Sequence, residues 1–190
     1  MRRGPRLLGL GLLLGALGCG GATSQVRPEP PRSEAHDTPM LGSSATPSGE
    51  PPVNLRVRTT DGRWIELSEL RGRCTLLFLF ATFDGASQAS LRPLGAFVQA
   101  HPEVSVLGLA IEESPAELAD AWQHALTPPF PIAYDPTRAL LLGASPLGRI
   151  ESVPRFRLLD AQGRPVGEHV GYPYRGVLQE LWSAGHCPAP

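Results

Sequence analysis

The chain divides by its pattern of apolar and polar positions. Residues 53–58 alternate apolar and polar, the mark of a half-buried strand. Asp61-Gly62 is a hairpin turn signal, and Trp64-Ile65 begins the return strand. Ser68-Glu69-Leu70 reads as one short helical turn closed by Gly72. Residues 74–81 (CTLLFLFA) are a continuous apolar run of strand length, suited to the middle of a sheet covered on both faces. A small, polar turn follows over 82–90, and helical spacing then appears at Leu91, Leu94, Phe97 and Val98. Residues 104–111 predict a second buried strand. Ser114-Pro115-x-Glu117 predicts a helix start with proline at the first position and a capping-box acid. That helix carries Leu118, Ala121, Trp122 and Ala125, and Pro128-Pro129 stops it. A short strand over 130–134, a helix over 138–142, a strand over 156–160, an antiparallel return over 165–170 and a last helix over 175–182 complete the set. Strands alternating with helices imply an α/β fold with a parallel core, closed by an antiparallel hairpin. Trp64, Trp122 and Trp182 fall on elements expected to pack, so they read as core.

The first 52 residues follow a different logic. Arg2, Arg3 and Arg6 precede an uncharged Leu/Gly-rich stretch over 7–17. That stretch is too short to span a bilayer comfortably, and it reads as a secretory signal. It ends at Ala16-Leu17-Gly18-Cys19, which resembles the lipobox of bacterial lipoproteins. The resemblance implies cleavage after residue 18 and acylation of Cys19. Ala16 departs from the Leu usual at that place. Gly20 following Cys19 implies, by likeness to enteric sorting rules, the outer rather than the inner membrane. Residues 20–52 are rich in Pro, Ser, Gly and Glu and carry almost no large apolar side chain. Such a segment cannot bury enough surface to offset its ordering entropy, so a disordered tether is expected there, with the folded domain over 53–187.

Composition narrows the chemistry. All 17 basic residues are arginine, which excludes a P-loop lysine, a Schiff-base lysine and an S-x-x-K acylation site. Net charge is −1, so no basic field points to nucleic acid. The histidines at 36, 101, 124, 169 and 186 show no metal-ligand spacing. No G-x-S-x-G is present, and no metal or cofactor is expected.

Four ordered stretches carry a family resemblance: DGRWIELSELRGR over 61–73, LLFLFATF over 76–83, VSVLGLAIEESP over 104–115 and VPRFRLLDAQGRPVGEHVG over 153–171. Together they resemble the TlpA/ResA-type thiol–disulfide oxidoreductases and related redoxins of the AhpC/TSA-like group. The resemblance implies a thioredoxin-like fold, a central mixed sheet flanked by helices, with an N-terminal β-hairpin extension. In that family the first core strand runs into Trp-Cys-x-x-Cys at a helix start. There the first thiolate attacks a disulfide and the second resolves it. Matched without gaps, Phe83 stands at the Trp, Asp84 at the first Cys and Ser87 at the second. Pro93 sits one residue later than the family's proline, yet no register supplies a thiol, because no cysteine lies between Cys74 and Cys187. Asp84 and Ser87 are also ordinary helix-start residues. Pro154 resembles the family's cis-proline, and Val153, Pro154 and Arg155, with Phe83 and Asp84, become candidates for holding an extended peptide. Arg155 and Arg157 either add positive charge there or are solvated strand residues.

If Cys19 is acylated, two cysteines remain in a compartment where disulfides persist. Cys74 opens the first core strand, opposite the active-site turn, and the final helix runs toward that same end before Cys187. A Cys74–Cys187 disulfide is expected, against two free thiols. The functional expectation is a redox-inactive envelope protein that binds a protein or peptide partner. The alternative is a thiol–disulfide oxidoreductase with an antioxidant or cytochrome-maturation-like role.

Overall fold

A computed structural model describes residues 44–45 and 49–187. The signal, Cys19 and most of the tether lie outside those residues. One mixed sheet organises the chain. Its strands are β1 (Ser44–Ala45), β2 (Arg56–Thr59), β3 (Trp64–Glu66), β4 (Thr75–Phe80), β5 (Ser105–Ala110), β6 (Ile132–Tyr134), β7 (Arg155–Leu159) and β8 (Pro165–Val170). They lie in the order β1-β8-β7-β4-β5-β6-β2-β3. β4, β5 and β6 run parallel, β7 pairs antiparallel with β4, and β8 pairs antiparallel with β7. The β2–β3 hairpin closes the far edge through β6. The two-residue strand Ser44–Ala45 pairs with β8 and falls inside the stretch expected to be tether.

The helices are α1 (Gly85–Ala89), α2 (Leu91–Ala100), α3 (Pro115–Leu126), α4 (Ala139–Leu142) and α5 (Val177–Ala184). All six residues of β4 are buried, as a central strand covered on both faces requires. Its side chains alternate between two cores. Leu76, Phe78 and Phe80 pack with Leu94 and Phe97 of α2, Trp122 of α3, and Leu178, Leu181 and Trp182 of α5. Leu77 and Leu79 pack with Val57, Ile65, Leu140 of α4 and Leu147 on the opposite face. The crossovers β4–α2–β5 and β5–α3–β6 progress in one direction along the sheet, which places α2 and α3 on the same side.

Four local expectations need correction. Trp64 is 43% exposed rather than core. Its strand is an edge, and its ring lies under the Arg56 guanidinium at 4.3 Å, a cation–π contact that suits a half-wet site. The helix beginning at Pro115 buries Ala119 and Trp122 and leaves Leu118 exposed, so its inner stripe is rotated from the one read off the apolar residues. Ser114 makes no side-chain cap bond there, because its backbone (φ −121°, ψ 64°) is not in the usual N-cap conformation. The polar turn over 82–90 also holds a short helix, α1.

Cys74 and Cys187 form a disulfide that joins the start of β4 to the chain just after α5. Cys74 is buried, and the bond spans 113 residues of sequence. In the chain-entropy account, closing so long a loop contributes about 4–5 kcal/mol. Denaturant unfolding at equilibrium should therefore show a clearly lower midpoint with reductant than without. An unchanged midpoint would reject the bond.

Candidate functional site

Parallel strands with crossover helices gather loops at their carboxyl ends, where ligands of α/β sheets bind. β4 delivers its chain there at Ala81-Thr82, and α1 begins two residues after Phe83. Asp84 is the N-cap of α1. Its Oδ2 accepts the Ser87 backbone N–H at 2.7 Å and the Ser87 hydroxyl at 2.6 Å. Ser87 is fully buried. The two residues matched to the family's cysteine positions are thus engaged with one another. The cap satisfies an amide that the first turn of the helix would otherwise leave without an acceptor. Gln88 Nε2 donates to the Thr82 carbonyl at 2.9 Å and ties the turn down from the helix side. Phe83, by contrast, is 78% exposed.

The second wall comes from β7. The antiparallel register sets Leu79 opposite Arg155, so the residues before Arg155 run alongside the end of β4. The Val153–Pro154 peptide is cis and Pro154 is buried. The Pro154 carbonyl accepts the Gly171 N–H at 2.8 Å, which fastens the loop after β8 to the same corner. Among the described residues, neither backbone group of Val153 has a hydrogen-bond partner. The arginines beside it are turned away toward β8. Glu168 Oε1 accepts Arg155 Nη1 at 3.1 Å and Arg157 Nη2 at 2.9 Å. Arg157 Nη1 also donates to the Leu147 carbonyl at 3.0 Å. These guanidiniums are largely buried and paired, so they stiffen the β7–β8 ladder more than they charge the corner.

Glu112 is the residue that the sequence did not single out. It follows β5, is 95% buried, and its Oε2 accepts the Thr82 hydroxyl at 2.9 Å. Its Oε1 has no partner among the described residues. Burial pushes the Glu112 carboxyl above its ordinary 4.5, against the opposing effect of the Thr82 bond. Its place in the sequence held a clue: an acid directly after a buried parallel strand stands where ligands of such sheets bind.

The disulfide is not part of this corner. Cys74 precedes the first residue of β4 and the turn follows the last, so six strand residues, about 20 Å at the usual rise, separate them.

No protein-family model and no curated protein matches the chain. Solved structures do. A candidate protein disulfide isomerase from Bacteroides thetaiotaomicron superposes with a TM-score of 0.62 at 22% identity, covering 77% of this chain and 92% of that one. StoA from Bacillus subtilis gives 0.56 at 21% identity, covering 69% and 97%. The thioredoxin domain of a thiol-disulfide oxidoreductase from Bacteroides vulgatus gives 0.59 at 13% identity, covering 73% and 99%. The fold is thioredoxin-like. These neighbours include thiol-disulfide oxidoreductases, whereas the turn after β4 in this chain carries Asp84 and Ser87.

Two outcomes are expected at the turn. Asp84→Ala should cost about 1–2 kcal/mol in denaturant unfolding, since the Ser87 amide and hydroxyl lose their acceptor together, while Asp84→Asn should cost much less. Glu112 sets a pH dependence. Its folded carboxyl titrates above the unfolded one, so its contribution to stability is complete below about pH 4.5. That contribution is lost as pH climbs through the raised value. Glu112→Gln keeps the Thr82 bond and should raise stability at neutral pH by about 1 kcal/mol, with no gain near pH 4.

Proposed function

We propose that this is a redox-inactive thioredoxin-fold protein, anchored in the bacterial envelope through Cys19. In this reading it holds an extended segment of a protein partner at the corner formed by Phe83, Asp84, Val153 and Pro154. The observation that carries the reading is the contrast within that corner. The turn holds a closed pair of oxygen groups where exchange would need sulfur. Beside it stand an exposed Phe83 ring and the unpaired backbone of Val153. An extended peptide can satisfy such backbone groups by strand-like pairing and bury one side chain against the ring, and neither contact needs a cysteine. The partner belongs to the envelope, which the export signal and lipobox resemblance support, and is not a nucleic acid. The outer membrane is favoured by Gly20 after Cys19.

The neighbours in fold support a second reading at a coarse level, a thiol–disulfide oxidoreductase, which would need Cys74 or Cys187 as its reactive thiol. Against it stand the burial of Cys74 and its distance from the turn. A buried, bonded cysteine is a poor source of thiolate.

A photo-crosslinking amino acid placed at Phe83, in the full chain within its own envelope, should capture the same partner band with and without prior thiol blocking. The same group placed at Leu142, exposed elsewhere on the domain, should not capture it. Capture at Leu142 alone, or none at Phe83, contradicts the reading.

A further inference from the structure

A cavity lies between α2 and the loop joining β8 to α5. Its volume is about 540 Å³, within the range of small-molecule sites. Buried Phe97 of α2 and Leu178 of α5 contribute to its lining. Pro93, Tyr172, Pro173 and Tyr174 add further apolar and aromatic surface. The two tyrosine rings stand nearly perpendicular at 5.3 Å, and Tyr174 is 62% exposed.

The charge of the lining is one-sided. Arg92 and Arg175 both contribute, and no Asp or Glu does. Neither arginine has an ion-pair or side-chain hydrogen-bond partner among the described residues. This contrasts with Arg155 and Arg157, which share Glu168. His101 also lines the cavity, but both its ring nitrogens are occupied, by Glu103 at 3.0 Å and Gln179 at 2.6 Å. The helix α5 starts beside the cavity at Gly176, whose lack of a side chain leaves the helix without a side-chain cap. An apolar, aromatic hollow flanked by two uncommitted guanidiniums is complementary to a molecule with an apolar body and an anionic head.

We propose that this cavity binds a small amphipathic carboxylate, with an apolar tail of about ten carbons against Phe97, Leu178 and the tyrosines and its carboxylate on Arg92 and Arg175. This site is independent of the peptide corner and stands or falls without it.

Decanoate, decanol and decyltrimethylammonium, below their aggregation limits, are the probes. Binding can be read in the purified full chain from tryptophan fluorescence, because Trp182 packs edge-on against Phe97 with ring centroids 6.1 Å apart. Isothermal titration gives the stoichiometry. Decanoate should bind saturably at one per chain, and the alcohol and the cation at least tenfold more weakly. Arg92→Gln and Arg175→Gln should each weaken decanoate about fivefold and leave decanol unchanged, taking each charged contact as worth about one kcal/mol by conversion. Both arginines are exposed, so the variants should melt like the parent, and a circular dichroism melt checks this. Absence of saturable binding overturns the proposal. So does equal affinity for acid and alcohol, or decanoate binding that survives both substitutions.

Discussion

The turn between β4 and α1 depends on one carboxylate. Asp84 accepts two hydrogen bonds from Ser87, one from the amide and one from the hydroxyl, and in doing so starts the helix that leads into α2. The same geometry that positions this turn at the carboxyl end of a buried parallel strand would place a reactive group there in a thiol enzyme. A carboxylate cannot exchange with a disulfide, because no sulfur–sulfur bond can form and break at oxygen. Its negative charge is instead well placed at a helix N-terminus. The carboxylate that caps the turn therefore stands where exchange would need a sulfur.

The two ends of β4 then have separate work. At the amino end, Cys74 anchors the disulfide to the tail beyond α5 and lies within an apolar core. At the carboxyl end, the chain emerges into a corner whose parts are linked: Thr82 to Glu112, and Pro154 to the loop after β8 through Gly171. That loop is also a wall of the cavity beside α2. The corner and the cavity thus share a segment of backbone while using different side chains.

Much of this was legible in the sequence because buried strands and helix stops leave strong marks. The run at 74–81 read as a central strand, and Pro128-Pro129 as a helix stop. Asp84 and Ser87 read as helix-start residues from their type alone, and the geometry has them capping α1. What the sequence hid was pairwise. Nothing in the order of residues says that Glu168 takes both Arg155 and Arg157, since that requires the register of β7 and β8. Glu112 was hidden because an acid at a strand end resembles any surface acid until the fold covers it. Trp64 misled in the other direction: a large aromatic on a strand reads as core, but an edge strand can hold it against an arginine in partial contact with water. The cavity between α2 and α5 joins residues some eighty positions apart and had no local signal.

The central claim is that sulfur chemistry is absent from the corner. The most direct measurement is the rate at which the native, oxidised protein exchanges disulfides with a fluorescently labelled dithiol peptide, followed without denaturant. With no sulfur at the turn and Cys74 buried, exchange should be no faster than that of an unstructured peptide disulfide at the same concentration, proceeding only by attack on the partly exposed Cys187. Turnover orders of magnitude above that peptide would mean an activated disulfide and contradict the redox-inactive reading.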